Sequence, residues 1–182
     1  VAISLQLTAK GQPVIYYGEE IGMSGKAEGD MDLGLFSENR EDFDWDAVDN
    51  HHLVAHYQKL LNIRKAHSKV FAKGDRQFVH GSDDEGFSVF TRTYEGETVY
   101  VALNTTEETI ETTLKVQESA GEFLKDAYND VSYTVSEDQT IRLTIPPYID
   151  GGTTILVLSS ETEVASEKTV SIFTIGIIVI GV

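Results

Sequence analysis

Near residue 74 the apolar pattern changes from a helical period to alternation, and that switch limits the fold more than any other feature. "RQFVHGS", "GFSVFTRTY", "TVYVALNTT" and "TIETTLKV" alternate or run apolar, with "DDEG", "EGE" and "TEE" between them. "TIRLTIPPYIDGGTTILVLSS" adds two more runs, split first by Pro146 and Pro147 and then by Gly151 and Gly152. Short strands at this spacing predict an all-β antiparallel sandwich over residues 74–160, with a domain boundary at 70–75.

The preceding part reads as α/β. "VAISLQLTAKG" is built of helix formers and ends on glycine and proline, which predicts a helix. "PVIYYG" is a short run of β-branched and aromatic residues, the pattern of a parallel strand buried on both faces. Residues 24–50 are rich in Gly, Asp, Glu, Ser and Asn without period, and a loop of that length in a compact domain is usually functional. "HHLVAHYQKLLNIRKAHSKVF" then spaces Leu53, Val54, Tyr57, Leu60, Leu61 and Arg64 helically, with Asp49 or Asn50 as the expected N-cap.

Thirty acidic residues against 14 basic ones give a formal charge of −16. Such a surface repels phosphate backbones and argues against a nucleic-acid partner, while neutral polymers such as glucans remain open. The absence of cysteine excludes disulfides and thiol chemistry. Residues 161–182 form a polar linker followed by the apolar stretch "VSIFTIGIIVIGV". Its 13 residues would make a helix of about 20 Å, too short for a bilayer core of roughly 30 Å. A membrane anchor that continues further is one expectation for this tail, and a buried strand or helix is the other. Val1 stands where a methionine would open a complete protein, so the chain is expected to be a fragment.

"GQPVIYYGEEIGM" resembles the eighth barrel strand and following loop of the α-amylase superfamily, glycoside hydrolase family 13, through Gly11, Pro13, Tyr16, Tyr17, Gly18, Glu20 and Gly22. "NREDFDW" is similar to the arginine-to-tryptophan segment that follows in bacterial members, with Asp42 in place of a proline. "YQKLLNIRKAHSKVF" resembles the last barrel helix, "FSVFTRTYEGETVYVALNTT" the first strands of the C-terminal sandwich, and "LTIPPY" the entry to its last strand. The resemblance implies an α/β barrel fragment over residues 1–73, the last helix-strand-helix of a (β/α)₈ barrel, followed by the sandwich. It also implies a parent enzyme, extracellular or at the cell surface, that cleaves α-glucosidic bonds in starch or maltooligosaccharides with retention. In that family the nucleophile, the acid/base and the stabilising aspartate lie on earlier strands. No catalytic residue is therefore assigned to this chain, and residues 1–182 alone are expected to be inactive.

The residues agree with that division of labour. Retention needs two carboxylates roughly 5–5.5 Å apart across one bond. Glu19 and Glu20 are neighbours, and on a strand they would face opposite sides. Glu20 is expected to orient the loop or a nearby cation, or to touch substrate. Gly18 and Gly22 are expected to allow backbone conformations that other residues resist. Tyr16 and Tyr17 offer a stacking face, although each taken singly suits a core. Arg40 can fork onto a carboxylate beside a sugar hydroxyl, the place its match takes in related glucosidases. Trp45, the only tryptophan, either stacks on sugar or anchors the loop. His52 and His56 stand four apart on a helix, but without HExxH or a third ligand a solvated face is expected. "DMDLG" only faintly resembles a calcium loop because its glycine is misplaced, so no cofactor is assigned and calcium stays an option for the parent enzyme. Asn104, Thr105 and Thr106 form a glycosylation sequon. The competing functions are a non-catalytic amylase-like ectodomain and a free-standing carbohydrate-binding sandwich.

Overall fold

The computed structural model describes residues 1–24, 41–49 and 51–159. Three helices precede eight strands: α1 (Ala2–Thr8), α2 (His52–Ala66), α3 (Ser68–Lys73), then β1 (Asp75–Ser82), β2 (Phe87–Tyr94), β3 (Glu97–Asn104), β4 (Ile110–Lys115), β5 (Phe123–Asp126), β6 (Val131–Thr134), β7 (Thr140–Ile145) and β8 (Thr153–Ser159). One sheet has the order β1-β2-β3-β8-β5-β6; β4 and β7 pair as a second. Every pairing is antiparallel.

Alternation along the central strands builds two cores from one sheet. On β3, Val99, Val101 and Leu103 join Phe90 and Ile155 beneath the helices, while Tyr100 and Ala102 turn the other way. There they meet Leu114, Ile141, Leu143 and Ile145 of the small sheet. The helices supply Leu7, Tyr57, Leu60, Ile63, Val70 and Phe71 to the first core. Each such buried side chain is worth about 1.5–3 kcal/mol relative to exposure, so both faces of the large sheet depend on their covers. The antiparallel sandwich of the sequence reading is present, backed by helices on one face.

Several local expectations need correction. Residues 12–16 run without strand pairing, and Val14, Tyr16 and Tyr17 are 76%, 53% and 43% exposed, not buried. A doubly buried strand needs neighbours on both edges, and no described strand pairs with this segment. The long helix breaks at His67 into α2 and α3. Its cap is His51, whose Nδ1 accepts from Leu53 N at 3.4 Å, whereas Asp49 ends the turn before it. Two four-residue strands, β5 and β6, escaped the sequence reading.

The β2–β3 hairpin turns on Glu95 and Gly96 with φ of 50° and 88°, the two positive values a two-residue primed turn demands. Asn104 is fully buried: its amide donates to Glu108 O at 2.8 Å and Pro146 O at 3.0 Å, and its Oδ1 accepts from Thr106. It ties β3 to the turn after β7 and presents no face for glycosylation.

Candidate functional site

The acidic turn is shaped by its glycines. Gly18 and Gly22 adopt φ of 91° and 66° and bracket a single 3-10 turn, Glu19–Ile21. A Cβ on Gly18 would lie 2.6 Å from Met23 Sδ, so the position needs glycine for both conformation and space. Glu19 and Glu20 thus sit on a tight turn rather than on a strand. Tyr57 OH donates to Glu19 Oε2 at 3.4 Å, and burial together with Glu19 raises the Tyr57 phenol. Glu20 Oε2 is buried and has no hydrogen-bond partner among the described residues.

The segment leading into the turn is tethered from below. Gln6 Nε2 donates to Val14 O at 2.8 Å. Arg64 of α2 donates to Leu7 O at 2.6 Å, Ala9 O at 3.0 Å and Gly11 O. Leu7 and the C-cap Ala9 end α1 and Gly11 follows it, so one guanidinium caps that helix and fixes the start of residues 12–16. With that anchor, the rings of Tyr16 and Tyr17 stand 4.7 Å apart, centroid to centroid.

A second aromatic pair joins them. Tyr17 OH donates to Glu41 O at 3.1 Å, which brings the start of residues 41–49 to the turn. Phe43 and Trp45 meet edge-to-face with centroids 4.6 Å apart, and Trp45 is 77% exposed. Asp44 Oδ1 accepts from Asp46 N at 3.1 Å and caps the turn that carries the indole. The structure therefore brings Tyr16, Tyr17, Glu20 and Trp45 onto adjoining segments and adds Phe43, whose place in "NREDFDW" was the only signal for it. Arg40, the "DMDLG" stretch and the apolar tail lie outside the described residues.

A separate polar cluster contradicts the solvated reading of His56. Its ring is buried between α1, α2 and the strand ends, with Nδ1 2.5 Å from Tyr128 OH and Nε2 3.3 Å from Ser4 Oγ. Ser4 Oγ lies 2.6 Å from Thr153 Oγ1, which donates to Gly151 O at 2.7 Å. A neutral ring satisfies this chain, with Tyr128 donating to Nδ1 and Nε2–H donating to Ser4. Burial first, then the positive charges of the chain's amino end, His52 and Lys59, press the His56 pKa down to about 4. Nearby, Asp126 accepts from the backbone N–H of Tyr128, Asn129 and Ile155 and from the Asn129 amide, while burial raises its carboxyl. The His56 chain holds the helices to the sandwich, while Asp126 ties the turn after β5 to β8.

What these features define is a helix-backed β-sandwich with an aromatic, acidic turn at one end. Known proteins share parts of this arrangement. Residues 76–149 match the family described as maltogenic amylase, C-terminal domain. Over 144 residues the chain is 31% identical to a cyclomaltodextrinase of Geobacillus thermopakistaniensis (strain MAS1), covering 79% of this chain and 23% of that protein. Neopullulanase 2 of Thermoactinomyces vulgaris is 29% identical over 148 residues, 81% of this chain and 24% of its own length. An Anoxybacillus α-amylase structure superimposes with a TM-score of 0.69 at 24% identity, covering 87% of this chain and 31% of that one. At that identity the likeness shows the fold. The chain is similar to the C-terminal region of these amylase-type relatives, and it spans about a quarter of their length.

Proposed function

We infer that this chain is the C-terminal part of an amylase-type glycoside hydrolase that cleaves α-glucosidic bonds in starch or maltooligosaccharides by retention. The observation carrying the reading is the 144-residue match to a cyclomaltodextrinase, which runs beyond the sandwich into the helical part. In this reading residues 1–73 complete a (β/α)₈ barrel, with residues 12–16 as its last strand. The exposure of Val14 and Tyr16, with no described strand beside them, fits a strand whose neighbours come from an earlier part of the protein. The reacting carboxylates come from that part too.

The chain then contributes a wall of the site. Tyr16, Tyr17 and Trp45 supply stacking faces, Arg40 a guanidinium beside the reacting sugar, and Glu20 a buried carboxylate oxygen that takes a donor from the rest of the barrel. A polymeric substrate does not cross membranes, which favours an extracellular or cell-surface enzyme. The test is proton NMR of maltoheptaose digested by the complete protein. Release of the α-anomer first is expected; a β-anomer, or no cleavage, would overturn the reading.

A further inference from the structure

We propose that Phe43 and Trp45 form an outer stacking station for a pyranose ring of a neutral α-glucan, one step beyond Tyr16 and Tyr17. The proposal rests on the reading above and extends it to a second sugar position. Three observations carry it.

Trp45 leaves most of its surface in solvent although it is the largest apolar side chain present, and Phe43 holds it edge-to-face at 4.6 Å. An indole fixed by an aromatic neighbour and by the Asp44 cap presents a ready face at little ordering cost. Next, acids alternate with the rings: Asp42 and Asp46 are exposed on either side of the pair. Carboxylates accept from sugar hydroxyls while the rings cover C–H faces, and the same charges repel phosphate or sulfate polymers. Finally, the Tyr17 to Glu41 hydrogen bond ties the start of this segment, two residues before Phe43, to the other aromatic pair.

Trp45 is the only tryptophan in the sequence, so its emission reports on this station alone. Maltoheptaose is titrated into the 182-residue chain with fluorescence and calorimetry followed in parallel. Saturation of both signals at one midpoint is expected. Trp45→Ala should raise the calorimetric midpoint about fivefold and Phe43→Ala by less, while Trp45→Tyr keeps it within about twofold. Circular dichroism checks the fold, which an exposed indole does not support. Heat of binding without a change in emission, or an unchanged midpoint in Trp45→Ala, overturns the proposal and leaves the hydrolase reading intact. Absence of both signals overturns it as well, and the hydrolase reading is then judged by the NMR digest of the complete protein.

Discussion

Acidification should loosen this chain through one buried imidazole. Unfolded, His56 titrates near 6.5; folded, its pKa is pressed down to about 4. The unfolded state therefore binds a proton that the folded state refuses, and stability falls with pH between those values. The gap between those two values corresponds to about 3.4 kcal/mol at most, a large part of an ordinary folding free energy. The contribution is fully retained above pH 6.5 and lost progressively toward pH 4. Asp126 works in the opposite direction, since its raised pKa means that acid relieves a buried charge. Asp75 and Asp138, lowered by hydrogen bonds from Lys10 and from Ser136 respectively, add to the loss but are exposed. Comparison with a variant separates these terms. Urea unfolding followed by circular dichroism is measured from pH 7.5 to 4 for the native chain and His56→Gln. The native-minus-variant difference should be flat above pH 6.5 and then fall by about 1.4 kcal/mol per pH unit. A flat difference throughout, or an NMR midpoint for His56 near 6.5, would refute the reasoning.

Other residues give equally direct expectations. Arg64→Ala removes the donors to Leu7, Ala9 and Gly11 and should cost about 2–3 kcal/mol in urea unfolding, with faster amide exchange in α1 and residues 12–16. Gly18→Ala forces a Cβ against Met23 at a positive φ and should cost about 1–3 kcal/mol, read as a fall in Tm of several degrees. Residues 74–159 expressed alone should bind a hydrophobic dye and lack sharp NMR dispersion, because Phe90, Val99, Val101 and Ile155 lose the helices that cover them. Cooperative unfolding of that piece would support an independent carbohydrate-binding module.

Elements carried by local pattern were legible in the sequence. Alternation with turn signals marked six of the eight strands, and the glycines around Glu19 and Glu20 were read as conformational requirements that their positive φ values bear out. The misses have a common cause in distant partners. β5 and β6 have four residues each and include Lys125, Asp126 and Ser132, so neither shows an apolar run; the pairing of β5 with β8, and of β6 with β5, makes them strands. His56 looks solvated beside His52 until Tyr128, 72 residues away, closes over it. Residues 12–16 failed in the reverse sense, because the β-branched pattern is real but no described strand pairs with it. At the candidate site, Tyr16, Tyr17, Glu20 and Trp45 were named from the resemblance, whereas Phe43 and the Arg64 anchor emerged from side-chain geometry.

The acidic turn invites a catalytic reading, but under the proposed function it supports the site instead. Glu19 engages Tyr57, and both glutamates ride one tight turn. Release of reducing sugar from maltoheptaose by residues 1–182 alone tests this most directly. No release above the buffer rate is predicted; turnover that disappears in Glu19→Gln or Glu20→Gln would make the pair catalytic and contradict the account.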